Sequence, residues 1–277
     1  QAEDGIRDAQ ESRGLGDVYK RQEVGNRLDR MMQKTTDVSG RLQQLFGAIT
    51  EEVDLLIRQN RLAEAREKVK RADDIGTKFN VYLSTKVGTP EALKQVPLID
   101  YQLAELHMRA EDLDGDKGAV RRFVALIGYD PYEKEGREKL NKVGADIAFL
   151  SGLARSTQAL ARKVLSDNPE RAYNLMVRAA FYWEIIAEGY NKPVGGMTVE
   201  ETQRKWWEAK LEQYRVYFDL QDLEKRFNPK SESNPAGPTD YWELIREFIR
   251  TQKVLNSRFG GPDLKIQFDR LGQRVGL

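Results

Sequence analysis

Arg41 to Phe79 reads RLQQLFGAITEEVDLLIRQNRLAEAREKVKRADDIGTKF. Leu42, Phe46, Ile49, Val53 and Leu56 recur at steps of four and three, the spacing that aligns apolar side chains on one face of an α-helix. The pattern breaks at Gln59-Asn60 and resumes with Leu62, Ala65, Val69, Ala72 and Phe79. Two amphipathic helices joined by so short a polar turn cover their stripes by folding back on each other. The stretch therefore predicts an αα-hairpin.

The same period continues through the rest of the chain, and no segment alternates Val, Ile and Thr as a strand would. A third helix is predicted from about Pro97 with Ile99, Leu103, Leu106 and Ala110, and a fourth with Ala119, Phe123 and Leu126, ending at Asp130-Pro131. One long helix is predicted from about Glu133 to Ser166, carrying Leu140, Val143, Ile147, Leu150, Ala154 and Ala161 in register. Asp167-Asn168-Pro169 starts another, because proline suits a first helical turn, and it should run to about Gly189. Beyond the loop Tyr190–Met197, Thr198 and Glu201 have the spacing of a capping box, opening a helix to about Phe227. Asn228–Pro238 (NPKSESNPAGP) reads as a linker. Asp240 and Glu243 then start a helix to about Asn256, and Gly260-Gly261-Pro262 precedes a last short one.

Three of these helices place a small residue early, Ala65, Ala119 and Ala172, at spacings of 54 and 53. Each is followed at +4 and +7 by packing residues: Val69 and Ala72, Phe123 and Leu126, Met176 and Ala179. An alanine there lets one helix backbone approach its neighbour closely. This pattern resembles the second helix of tetratricopeptide (TPR)-like repeats over about Asp37–Gly189. In the middle unit Ala119, Phe123 and Pro131 match that family's small, aromatic and terminal-proline positions, with Leu103 and Leu106 as first-helix packers. The period departs from the family's length of about 34 residues, the small residue expected near His107 is missing, and the first unit lacks the proline. The same alanines also fit an irregular Ala-rich bundle. The resemblance implies stacked antiparallel helical hairpins, a TPR-like solenoid, followed by a helical C-terminal segment.

Residues 1–22, QAEDGIRDAQESRGLGDVYKRQ, resemble a translated sequencing adapter of the kind that enters assembled environmental DNA, most clearly over Arg13–Gln22. The resemblance implies that this segment is not native and that the chain is a metagenomic fragment lacking its own N-terminus. The first methionines are Met31 and Met32. The expected organisation is thus a non-native tail over 1–22, a repeat region over 23–190 and a C-terminal helical segment over 191–277.

Composition narrows the function. Lys and Arg number 45 against 44 Asp and Glu, too even a balance for the general field of a nucleic-acid binder. No run approaches the ~18 apolar residues of a membrane span. With no cysteine and one histidine, His107, thiolate metal sites, cysteine nucleophiles and His-rich metal sites are excluded.

Several constellations carry a chemical and a plainer reading. Asp112, Asp114 and Asp116 occupy positions one, three and five of a calcium-loop pattern, but Lys117 stands at the glycine position and Phe123 at the bidentate glutamate position. The segment reads as a solvated turn whose Asp116 caps the next helix. His107 has no second histidine, cysteine or GxSxG-type serine to work with, and is read as structural or surface. Gly136, Gly144 and Gly152 recur every eight residues. Each costs about 1 kcal/mol relative to alanine inside a helix, so they predict a closely packed groove or, alternatively, a self-association face. Trp207, Leu211, Tyr214 and Phe218 form a core stripe, whereas Trp206 falls off it beside Arg204 and Lys205. Trp206 and Arg204 are therefore the candidate partner-binding residues.

The expectation is an interaction scaffold for a protein or peptide, with no catalytic activity, cofactor, metal, nucleic acid or membrane span. The alternatives are an oligomerising structural or assembly subunit and, with no motif behind it, an all-α enzyme or small-ligand pocket.

Overall fold

The computed structural model describes residues 38–277, apart from 88, 193, 195, 232 and 233. The adapter-like segment 1–22, Met31, Met32 and the side chain of Leu42 lie outside the described residues. Among the described residues the chain is all-α, with no strand. Its helices are α1 (Val38–Arg58), α2 (Leu62–Tyr82), α3 (Pro90–Leu93), α4 (Val96–Arg109), α5 (Ala119–Ile127) and α6 (Lys134–Val143). They continue with α7 (Ile147–Val164), α8 (Pro169–Gly189), α9 (Val199–Phe227), α10 (Tyr241–Leu255) and α11 (Pro262–Arg274). A π-helical turn, Leu83–Val87, extends α2.

The first hairpin forms because Asn60 takes a left-handed φ of 58°, a conformation asparagine tolerates better than most side chains. Arg61 N can then donate to Leu56 O at 2.9 Å. Phe46, Ile49, Val53 and Leu56 meet Ala65, Val69, Ala72 and Phe79 in a closed apolar layer. Packing then passes from neighbour to neighbour along the chain: α1 with α2, α2 with α4, α4 with α5, α5 with α7, α7 with α8, and α8 with α9. Ala65, Ala119 and Ala172 are all fully buried.

Three apolar clusters result. One spans α1 to α4, the largest runs from α4 to α9, and the third joins α9 to α10 and α11. Ala209, Val216 and Leu220 of α9 share the largest cluster with α7 and α8. The loop 190–197 thus joins two helices of one core. Trp206 and Tyr217 touch both the second and third clusters.

The predicted helix from Glu133 to Ser166 is instead two helices. Gly144 ends α6 with φ +77°, and Asp146 starts α7 by accepting from Ala148 N at 2.8 Å. Val143 and Ile147 keep helical spacing across the break, which is why periodicity missed it. Glycine followed by a capping aspartate was the stop-and-start signal.

The three in-line glycines do three different things. Gly144 turns the chain. A Cβ on Gly136 would collide with Asp130 O, at 1.7 Å. A Cβ on Gly152 would lie 2.1 Å from Phe123 Cε1, so only that glycine supplies the predicted close packing, between α7 and the aromatic ring of α5.

The turn before α5 also differs. Gly118, not Asp116, is the N-cap, with no side-chain cap, and the first amides of α5 donate to backbone: Ala119 N to Asp112 O at 2.9 Å and Val120 N to Leu113 O at 3.3 Å. Leu113 is buried, and its side chain holds the turn against the core. The other start signals act through their side chains. Asn168 Oδ1 accepts from Arg171 N at 3.0 Å, Asp240 Oδ1 accepts from Glu243 N at 3.0 Å, and Thr198 and Glu201 close a reciprocal capping box.

Candidate functional site

The capping box sets the start of α9, and with it the azimuth of Arg204 and Trp206. Thr198 Oγ1 accepts from Glu201 N at 3.1 Å while Glu201 Oε2 accepts from Thr198 N at 2.7 Å. The Thr198 amide and, at 2.9 Å, the Thr198 hydroxyl both donate to Glu201 Oε2 and hold that carboxyl below its ordinary range. Arg204, on the exposed side of α9, reaches α11. Its Nη2 donates to Asp263 Oδ2 at 2.6 Å and its Nη1 to Asp263 Oδ1 at 3.3 Å, while Nε donates to Glu208 Oε1 at 3.2 Å. The Arg204 hydrogen bond lowers the Asp263 carboxyl from its usual range. This two-point fork ties α9 to α11.

Trp206 is half-buried and points away from Arg204's partners. Its ring meets Trp207 edge-on, with centroids 4.8 Å apart and planes at 88°. Lys210 Nζ lies 5.8 Å from the Trp206 ring centroid, and burial lowers the Lys210 ammonium from its usual range. Trp206 therefore sits at the seam between two apolar clusters, and the structure does not bring it together with Arg204. Trp207 is buried against Phe259 and Phe268 at centroid distances of 5.2 and 5.6 Å. Gly260 makes that possible, because a Cβ there would lie 2.5 Å from Trp207 Cδ1.

Two clefts flank the Arg204–Asp263 fork. The first, of about 450 Å³, lies among α7, α8, α9 and α11. Its walls include Trp183 and Ile186 from α8, Ala209 and Leu211 from α9 and Leu264 from α11. Ser151 and Arg155 come from α7, and Tyr190 from the end of α8. The second, of about 760 Å³, is bounded by Trp207, the loop Asn256–Gly261 and Lys265.

The first cleft's charges are already engaged. Arg155 pairs with Glu105 at 2.6 Å, Lys205 with Glu208 at 2.7 Å, and Glu212 with Arg215. Two donors are not. Trp183 is 6% exposed, and its Nε1 is buried with no acceptor among the described residues. Such an unmet donor costs about 1–3 kcal/mol. The half-buried Tyr190 makes no hydrogen bond through its hydroxyl to the described residues, and burial raises its pKa. Nothing in the sequence marked Trp183, which occupies an ordinary core position of α8.

His107 proves structural and buried. Its Nδ1 lies 2.8 Å from Asp112 Oδ2 and its Nε2 3.0 Å from Asp73 Oδ2, and Asp73 also pairs with Arg122 at 2.7 Å. The former calcium-loop residues are thus divided. Asp112 serves His107, Asp114 pairs with Arg171 at 2.8 Å, and Asp116 is exposed. Among the described residues no group of three or more His, Cys, Asp or Glu is placed to hold a metal ion. No helix among the described residues is long and apolar enough to cross a membrane. No protein-family model, curated protein or solved structure matches this chain.

Proposed function

We propose that this protein is an interaction scaffold of the helical-repeat class, a TPR-like stack of hairpins that binds a protein or peptide partner and has no catalytic role. The observation that carries the reading is the cleft of about 450 Å³ built by four helices beside Arg204. It combines apolar walls with rim charges that each have an ion-pair partner, a composition suited to recognition. The buried alanines Ala65, Ala119 and Ala172 support the repeat component, as does packing that passes between chain neighbours.

An oligomerising structural subunit is the alternative. Val254 and Leu255, 85% and 74% exposed at the end of α10, favour it. Burial of Gly152 under Phe123 argues against the Gly144–Gly152 face as the contact.

Selection of random peptides displayed on phage against the purified chain tests the reading. Enriched sequences that bind the free chain in solution are expected, from a protein that light scattering reports as monomeric. A defined oligomer with no enriched peptide would overturn it in favour of the structural subunit.

A further inference from the structure

The turn between α4 and α5 includes Asp112–Gly118 (DLDGDKG), and within it Asp114 directly precedes Gly115. Asp-Gly occurs only here and at residues 4–5, which lie outside the described residues. Asp114 and Gly115 are both exposed and belong to no helix. Gly115 takes φ +82°, and a Cβ on it would meet nothing within 4 Å, so its peptide nitrogen is uncrowded. That nitrogen donates to no backbone carbonyl among the described residues; its N–H is directed at the Asp114 carboxylate instead. A nitrogen nucleophile and the carboxyl carbon it can attack are therefore neighbours both in the chain and in space.

We propose that Asp114–Gly115 is a site of spontaneous isoaspartate formation, restrained by the ion pair between Asp114 and Arg171. Gly115 N bonds to Asp114 Cγ, and the amide proton and the carboxyl hydroxyl leave as water, closing a succinimide ring. Water then adds to the Asp114 backbone carbonyl carbon, and that carbon's bond to Gly115 N breaks. The chain now runs through Cγ, and the former carbonyl is a free carboxylate. Solvent water is the only co-reactant. Ring closure proceeds from the carboxylic acid, which can lose its hydroxyl as water. Arg171 Nη2 donates to both Asp114 oxygens at 2.8 Å, so this pair must open before the group can take up a proton and close the ring.

The product lengthens the backbone by one carbon where there is no slack. Gly118, the N-cap of α5, packs so closely on Asp114 that a Cβ there would lie 2.3 Å from Asp114 O. Asp112 O and Leu113 O accept the first amides of α5. Isomerisation between these points therefore separates the turn from Arg171 and loosens the start of α5.

The test holds the full chain and its Arg171→Ala and Asp114→Glu variants at neutral pH and physiological temperature for several weeks, with samples digested by trypsin. Arg171→Ala keeps the backbone amide that Asn168 caps, so the start of α8 is preserved. Cleavage after Arg109 and Lys117 releases Ala110–Lys117. Chromatography separates an isomer of unchanged mass and a succinimide lighter by one water, and electron-transfer fragmentation assigns them to Asp114. Steady accumulation is expected in wild type. It should be about two- to five-fold faster in Arg171→Ala, the factor an exposed ion pair supports. Asp114→Glu, which would need a larger ring, should accumulate none. The Asp4-Gly5 peptide should change at one rate in all three proteins, and the purified isomerised chain should melt below the unmodified one. Absence of the Asp114 isomer from both wild type and Arg171→Ala would overturn the proposal, as would equal rates in the two.

Discussion

His107 Nε2 lies 3.0 Å from Asp73 Oδ2, joining the second half of α4 to a residue 34 positions earlier on α2. The ring is 1% exposed, and Arg122 from α5 closes the same carboxylate at 2.7 Å. Three helices from two successive hairpins therefore meet on Asp73. Removing the imidazole takes one of its two partners from the largely buried Asp73 carboxylate, leaving Arg122, and opens a cavity. His107→Ala should lose about 3 kcal/mol in urea unfolding. A double-mutant cycle with Asp73→Asn should show a coupling of about 1 kcal/mol or more. Additive effects would mean the contact carries no stability.

Gly152 and Phe123 test the close approach of α5 and α7. A methyl group on Gly152 would lie 2.1 Å from the ring, and Phe123 is fully buried. Gly152→Ala should therefore cost about 1–3 kcal/mol through overpacking. In Phe123→Leu the same alanine should cost less, because the shorter side chain vacates the site. Thermal denaturation of the four proteins measures the difference.

Gly144 gives a prediction of opposite sign for the two descriptions of the 133–166 segment. Inside a continuous helix, alanine would stabilise. At φ +77° with nothing within 4 Å, alanine is strained without being crowded, and Gly144→Ala should destabilise by about 1 kcal/mol. Gly144→Asn should cost as much, because φ +77° with ψ −174° lies outside the left-handed helical region that asparagine tolerates. An increase in melting temperature for the alanine variant would restore the continuous helix.

Acid should loosen the start of α9. Hydrogen bonds from Thr198 depress the Glu201 carboxyl below its unfolded value of 4.5. A depressed carboxyl contributes stability that is present above the unfolded value and lost as pH falls through the folded one. The melting temperature of wild type should exceed that of Glu201→Ala at neutral pH, and the gap should narrow below about pH 4.5. A gap independent of pH would show that the carboxylate's charge is not involved.

Thr198→Ala removes the hydroxyl, which accepts from Glu201 N and also donates to Glu201 Oε2. Losing the hydroxyl leaves Glu201 N without its acceptor, and the cost should be about 1 kcal/mol. Because Arg204 and the first cleft follow directly from this helix start, the indole spectrum of Trp206 and Trp207 should shift with it. Stability lost without spectral change would confine the cap's role to the first turn.

Local signals carried much of the architecture. The 4-3 periodicity of Phe46–Leu56 and Ala65–Phe79, the polar break at Asn60 and the Thr198–Glu201 box each act within one turn of helix, so spacing alone reveals them. The Gly144 break was written just as locally, as glycine then Asp146. Periodicity conceals it, because Val143 and Ile147 preserve the register across it. The candidate pair was less legible: Arg204 and Trp206 are two residues apart, yet helical geometry sends one to Asp263 and the other to the seam between clusters.

The sequence by itself determined that this chain is helical, where most of its helices start, and that cysteine and histidine-cluster chemistry is absent, because propensity, capping and composition are properties of neighbouring residues. Tertiary structure alone decided that His107 is enclosed by Asp73 and Asp112, that Gly152 receives Phe123, and that Trp183 lines a cleft while its indole N–H is buried and unmet. Those outcomes depend on which helices pass within a few ångströms of each other. Contacts across tens of residues leave no periodic trace in the chain that makes them.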